Sequence, residues 1–260
     1  MMDFVFNGVA ASQMGVRLLG IKQTLFPVLR DKYETVPGRA GSYLFAQPFG
    51  DRKIELECAL VSQTANDFWQ DVRRVAGWLS VNKKAQLVLS KEPDKYYMAK
   101  VSNSAELETF LHFGKFKLEF ACDPVAYSTE ETAQQFVATP GVANGIYNNG
   151  TAETYPVITI IAAYGDIVSP KLQINDEMIL FNGTITNGSQ LDLNAENFTA
   201  YKGMDRDLMT TGAYDSVEDS MLAKIDGEFP ELKPGPNSLI FSCENSVAAD
   251  LKIQFRERWI

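Results

Sequence analysis

Side chains able to do chemistry are few in this chain, and they stand far apart. Its single histidine, His112, lies in Phe110-Leu111-His112-Phe113-Gly114, an alternating, strand-like run. A Ser-His-Asp triad would have to use that imidazole, yet no Gly-x-Ser-x-Gly elbow is present to expose a nucleophile. One histidine also excludes a metalloprotease helix and any zinc site built from several imidazoles. His112 is therefore expected to be a solvated or hydrogen-bonded strand residue. Cys58, Cys122 and Cys243 are widely separated and form no C-x-x-C. Two of them fall at apolar-facing positions of strand-like runs, which favours buried free thiols over a disulfide framework. Asp205, Asp207, Asp215, Glu218, Asp219, Asp226 and Glu228 crowd one stretch. An EF-hand loop starting at Asp205 needs glycine at 210 and glutamate at 216. The chain has Thr210 and Ser216, so a solvated acidic loop is the expectation. No carboxylate pair stands out for glycoside hydrolysis, and neither a phosphate loop nor a dinucleotide fingerprint occurs. These residues predict no enzyme, no cofactor and no metal.

Recognition chemistry is better supported. Val36-Pro37-Gly38-Arg39-Ala40-Gly41 sits between two strand-like runs and is followed by Phe49-Gly50-Asp51-Arg52. Proline fixes φ near −65° and glycine takes positive φ without a Cβ penalty, so the stretch reads as the tip of a long hairpin. The Arg39 guanidinium is a rigid fork that can grip a carboxylate of a neighbouring chain at two points. Read alone the stretch is equally an ordinary turn; Val36, Pro37, Gly38, Arg39, Ala40 and Gly41 are the candidate subunit interface if it meets a neighbouring chain.

The elements that would carry this tip are mostly strands. Phe4-Val5-Phe6 runs into Asn7-Gly8, a short strand and tight turn. From Gly20 to Glu34 the chain reads as extended but broken by Pro27, and Ser42 to Gln47 returns from the tip. Arg52 to Val61 alternates, with Ile54, Leu56, Cys58 and Leu60 facing one way and Lys53, Glu55, Glu57 and Ala59 the other. One helix is predicted over Ala65 to Leu79, capped by Thr64 with Asp67 in its first turn. Its apolar stripe is Phe68, Val72, Val75 and Leu79, flanked by Trp69 and Ala76, and it reads as a face that packs on a sheet. Strands follow at Ala85–Leu89 and Tyr96–Val101 around a turn at Lys91-Glu92-Pro93-Asp94, then at Leu107–Ala121, ended by Asp123-Pro124.

Residues 139–150, rich in Gly, Asn and Pro, read as a linker or entry loop. Beyond it, short strands with frequent turn signals indicate an all-β sandwich. Asn182-Gly183 and Asn187-Gly188 have the composition of type I′ hairpin turns, and residues 203–227 read as a polar loop. Two domains are expected, 1–138 and 139–260.

The charge distribution supports that division. Residues 1–135 hold 16 Lys/Arg and 16 Asp/Glu, while residues 136–260 hold 8 and 17, so the second half carries the whole net −9. Such a balance argues against affinity for nucleic acid or for an anionic membrane surface. The longest apolar run, Pro156 to Tyr164, is far shorter than the ~20 residues a membrane-spanning helix requires. With no basic-then-apolar leader, synthesis and assembly in a cytoplasm are expected.

The order Met2-Asp3-Phe4-Val5-Phe6-Asn7-Gly8, hairpin tip, single helix, Gly114-Lys115-Phe116 and Cys122-Asp123-Pro124 resembles the N-terminal domain of the distal tail proteins of siphophages. The later half keeps the rhythm: Gly150-Thr151, Tyr155-Pro156-Val157-Ile158-Thr159-Ile160, Leu191-Asp192-Leu193, Gly227-Glu228-Phe229-Pro230, Pro234-Gly235-Pro236-Asn237 and Phe255-Arg256-Glu257-Arg258-Trp259. Val125 stands where the family would have an aromatic, while Tyr127 is kept.

The resemblance implies a mainly β protein. Its N-terminal part would be a sandwich or split barrel with one helix and a projecting hairpin, similar to tail-tube subunits, and its C-terminal part a galectin-like sandwich. It further implies a homo-hexameric ring at the virion tail tip, assembled in the host bacterial cytoplasm. Such a ring joins the tail-tube protein to the tail hub and the receptor-binding baseplate proteins. DNA would pass through a neutral to acidic bore without specific binding. The alternative is a carbohydrate-binding receptor module. A galectin site relies on His, Arg, Asn and a stacking Trp, whereas residues 139–260 contain no His and only Trp259.

Overall fold

The computed structural model describes residues 2–203 and 220–260. The carboxylates from Asp205 to Asp219 lie outside the described residues. Two compact units emerge, Met1–Thr129 with Trp259–Ile260, and Glu130–Arg258. The division falls ahead of residue 139 because Thr132–Ala138 pairs along its whole length with Ala249–Phe255, at the edge of a second-unit sheet.

The strands of the first unit are β1 (Phe4–Phe6), β2 (Val9–Ala10), β3 (Val16–Gln23), β4 (Lys32–Glu34), β5 (Tyr43–Ala46) and β6 (Arg52–Val61). Helix α1 (Ala65–Leu79) follows, then β7 (Ala85–Leu89), β8 (Glu92–Val101), β9 (Leu107–Phe110), β10 (Phe113–Cys122) and β11 (Ala126–Ser128). The main sheet runs β2-β1-β7-β8-β10-β6-β3, with β9 added to β10 and β11 to β8. Strands β4 and β5 form a separate two-stranded arm.

Strand β6 buries Ile54, Leu56, Cys58 and Leu60, and pairs residue for residue with β10 from Arg52/Cys122 to Val61/Phe113. Ala59, expected to face outward, is buried too. Its ladder partners are Lys115 and Arg17, whose long stems can cover a methyl group.

Helix α1 begins where expected, with the Thr64 hydroxyl accepting from the Asp67 amide at 3.3 Å. The stripe is corrected at its flanks, where Ala76 as well as Trp69 is exposed. Trp78, 8% exposed, is the core tryptophan, while Trp69 is 57% exposed. Trp78 stacks on Phe4 at 5.7 Å and donates its indole N–H to the Phe6 carbonyl at 2.9 Å. Gly114 makes room for the start of α1, because a Cβ there would meet Phe68 at 2.9 Å and Leu107 at 2.8 Å.

Two turns differ from the sequence expectation. Pro93 lies inside β8, in the irregular stretch between the Leu89/Glu92 and Leu87/Tyr97 pairs, where no ladder bond needs its missing N–H. His112 is not mid-strand. Phe110 pairs with Phe113, and Leu111 (φ 56°) and His112 form the reversal. Leu111-His112 carries none of the Asn, Asp or Gly that mark such a turn, so two strands read as one.

The second unit contains β12 (Thr132–Ala138), β13 (Ala143–Asn148), β14 (Val157–Ile161), β15 (Ile167–Val168), β16 (Lys171–Ile174), β17 (Glu177–Phe181) and β18 (Thr184–Ile185). It continues with β19 (Gln190–Asn194), β20 (Thr199–Gly203), β21 (Ile225–Gly227), β22 (Gly235–Ser242) and β23 (Ala249–Phe255). Two five-stranded sheets, β12-β23-β14-β19-β20 and β13-β22-β16-β17-β21, face a common core. Ile158, Ile160, Leu191 and Leu251 of one sheet meet Leu172, Ile174, Ile179 and Phe241 of the other. This is the expected sandwich, and the whole chain is mainly β with one α-helix and no closed sheet among the described residues.

Here too the structure corrects details. The run expected as a linker contains β13, an edge strand, and an edge tolerates Asn and Gly because one side lacks a partner. Of the two Asn-Gly pairs only Gly188 has positive φ, so neither is a type I′ turn. In this unit Asn175 is left-handed (φ 53°), and its side chain accepts from the Ser238 amide and donates to Asn237. Leu222–Lys224 is a 3-10 turn leading into β21, which pairs with β17, where a loop was expected. The Pro234-Gly235-Pro236-Asn237 sequence has a local cause: the Asn237 amide donates to the carbonyls of Lys233 and Gly235 and holds the entry to β22.

Candidate functional site

The arm leaves the main sheet after β3 and returns at β6. Its root is tied by the Leu29/Phe49 bridge, by Arg30 N–H to the Pro48 carbonyl at 3.0 Å, and by Gly50 N–H to the Val28 carbonyl at 2.6 Å. Farther out, Tyr33 faces Leu44 and Glu34 faces Tyr43. Asp31 organises the middle, accepting from Gln47 at 2.8 Å and from the Tyr33 hydroxyl at 3.1 Å. That bond, with the carboxylate charge behind it, raises the Tyr33 pKa.

At the tip Val36, Pro37, Gly38, Arg39, Ala40 and Gly41 are all exposed. Gly38 and Gly41 take φ of 85° and 91°, and the Arg39 amide donates back to the Val36 carbonyl at 3.1 Å, which makes the reversal. The Arg39 guanidinium donates to the Tyr43 hydroxyl at 2.5 Å and lies over that ring. Among the described residues no carboxylate pairs with it.

Sequence reading located the tip and missed the flanks. Leu25, Phe26, Val28, Leu29, Tyr33, Val36, Tyr43, Leu44 and Phe49 are all exposed, Leu25 to 88%. Nine large apolar or aromatic side chains within residues 25–49 form a concentrated unburied surface. The available signal was Leu25-Phe26-Pro27-Val28-Leu29, an apolar run with neither helical nor strand periodicity. At the inner end Lys84 binds Asp123 at 2.7 Å and Asp51 at 3.2 Å. Burial pulls the Lys84 pKa down, but the two carboxylates outweigh it and the net shift is upward.

No residue considered for catalysis is brought into a constellation. His112 is exposed in its turn. Cys58 and Cys122 are buried free thiols, pushed up to about 12 by burial, and Cys243 is also free. Asp226 and Glu228 are exposed, and among the described residues no group of three or more His, Cys, Asp or Glu could hold a metal. In the second unit burial raises the Glu231 carboxyl first, and the neighbouring Glu153 and Glu177 raise it further. No helix among the described residues is long and apolar enough to cross a membrane.

The site and fold thus define a structural class: a mainly β, two-unit protein with an apolar arm. A family model for the phage tail protein RIFT-related domain matches residues 13–122. A second, for the C-terminal domain of the siphovirus-type tail component, matches residues 149–259. In fold the chain is similar to the Dit protein of phage SPP1, described as a paradigm of the hub adsorption apparatus in phages infecting Gram-positive hosts. The TM-score is 0.77 at 15% identity, covering 100% of both chains. Chains of the phage P2 baseplate in its activated conformation, with Ca and with Sr, align at 11% identity over 98% of each chain, with TM-scores of 0.47 and 0.46. No curated protein matches by sequence. The chain belongs to the siphophage distal tail family, and is a structural component of the phage tail.

Proposed function

We propose that six copies of this chain close a ring at the tip of a long non-contractile tail, as the hub between the tail tube and the host-adsorption apparatus. The observation that carries the reading is the arm with its nine exposed apolar and aromatic side chains. Burying one such side chain returns about 1.5–3 kcal/mol, against an association cost of about 4–15 kcal/mol, so a neighbour covering several of them suffices. A ring requires heterologous contacts that close, and a projecting arm laid on the next copy supplies such a contact. The tip, Val36 to Gly41, reaches furthest, with Arg39 offering its remaining donors to a neighbouring carboxylate.

In this reading the first unit forms the ring and the second, Glu130–Arg258, gives an outward sandwich that docks receptor-binding baseplate proteins, while tube and hub proteins bind the ring. The paired solvent-facing lysines of β3, β6 and β10, all but Lys115, support passage of DNA without binding. Lys22 pairs with Glu55, Lys53 with Glu55 and Glu119, and Lys117 with Glu57, at 2.7–3.8 Å. A self-neutralised surface releases few counterions from a polyanion. Assembly takes place in the host cytoplasm, and the finished ring sits at the virion tail tip.

Light scattering and negative-stain microscopy of the purified protein test the ring, with six-fold particles the expected result. Monomer at every concentration, even with tail partners added, overturns it, and a monomer that binds cell-wall glycans would favour a receptor module.

A further inference from the structure

Arg52 is the residue at which the arm rejoins the sheet, and nothing so far accounts for it. Its side chain is only 2% exposed, yet Nε and Nη2 have no hydrogen-bond partner. Nη1 reaches the Thr24 carbonyl at 3.5 Å, the outer limit of a hydrogen bond. The guanidinium carbon lies 5.9 Å from the centroid of the Tyr97 ring, whose hydroxyl accepts from Gln23. The carboxylates next to it in the chain and beside its ladder partner Cys122, Asp51 and Asp123, are both engaged by Lys84.

A guanidinium removed from water without a counter-ion or a full set of acceptors destabilises the chain that contains it. A methionine would fill similar volume without that penalty. The stability of the free chain therefore does not explain Arg52, and another state must use it. Thr24 and Arg52 stand at the two ends of the arm, joined by one weak contact.

We propose that Arg52 is an interface residue held in reserve. When the arm seats on a second copy, Thr24 moves off and the guanidinium takes a carboxylate of that copy in two-point geometry. This inference rests on the ring reading. A second copy is the fitting occupant because the exposed Leu25 and Phe26 follow Thr24 and the exposed Phe49 precedes Arg52 by three residues, so a copy covering them lies on the segments that carry Thr24 and Arg52. A second copy also supplies the acid, with 33 Asp/Glu against 24 Lys/Arg.

The test compares wild type with Arg52→Met, measuring monomer melting temperature and the concentration at which rings form. Arg52→Met should raise the melting temperature by about 2–4 °C. It should also demand about 30-fold more protein for assembly, the loss expected when a buried charge pair is broken. A variant that melts lower or fails to fold shows that Arg52 serves the free chain, and overturns the inference. Rings formed by wild type and variant alike overturn it while leaving the ring reading intact; absence of wild-type rings removes both. Hydrogen exchange on wild type gives a second readout, since residues 23–26 should change protection between monomer and ring, and unchanged protection also counts against it.

Discussion

The first-unit arm and the second unit treat apolar surface in opposite ways. The sandwich closes two five-stranded sheets over one core, and its exposed large apolar or aromatic side chains, among them Tyr147, Tyr164, Met178 and Phe198, are spread over some 130 residues. The arm places nine within residues 25–49, exposed from 40% at Leu29 to 88% at Leu25. The sandwich covers its apolar faces with its own two sheets, whereas the arm leaves its apolar side chains exposed. A two-stranded ribbon has no second layer to cover it and gains little stability alone, and under the proposed function a neighbouring copy covers it.

The largest effect expected on this contrast comes from removing what anchors the arm-bearing unit. Trp78→Ala deletes the indole that stacks on Phe4 and bonds to Phe6, and should cost about 3–5 kcal/mol in urea unfolding. A loss below 1 kcal/mol would mean that α1 does not clamp β1 to the sheet.

Leu25→Asp combined with Val28→Asp goes to the arm itself. Assembly should weaken by about 2–4 kcal/mol while the monomer keeps its circular dichroism and melting temperature. A drop in monomer stability of the same size would show that these side chains pack within the chain, and the contrast would fail.

Arg39→Glu refines the picture at the tip. An interfacial pair should cost about 1–3 kcal/mol of association, whereas an arginine that only serves the turn should cost less than about 0.5 kcal/mol, both read from the assembly midpoint.

The smallest effect tests the self-sufficiency of the sandwich. Glu231 has a raised pKa from burial and from Glu153 and Glu177, so the folded state holds its proton more tightly than the unfolded state. Stability therefore falls as pH rises from the ordinary carboxylate value through the raised one. Glu231→Gln should lift the melting temperature at pH 7 by about 1–2 °C, with the gain vanishing below about pH 4. A gain that persists in acid would show that the charge is not its cause.

Much of the scaffold was legible in the residues. The span of α1 and its Thr64 cap, the ten residues of β6 and the sandwich character of the second half follow from periodicity and capping, which act over a few neighbouring positions. The candidate site was legible only at its tip, where Pro37, Gly38 and Gly41 announce a reversal. Its flanks were not, because Leu25-Phe26-Pro27-Val28-Leu29 has the composition of a core segment, and exposure is a property of what lies opposite. The hairpin at His112 was hidden for another reason, since Leu111-His112 lacks the Asn, Asp or Gly that announce a tight turn.

Trp69 and Trp78 show the dividing line most plainly. Each lies one position off the helical stripe, on opposite sides, and α1 alone treats them alike. Strand β1 lies on one side only, so Trp78 enters the core and Trp69 stays in water. The same holds at Arg52. Alternation put an arginine on the inward face of β6, but whether that charge would find acceptors depended on Thr24, Tyr97 and Lys84, residues far away in the chain. Local geometry is written in the nearest few residues through backbone sterics and side-chain period. Burial and the pairing of charges are decided between segments distant in sequence, and only the folded chain brings those together.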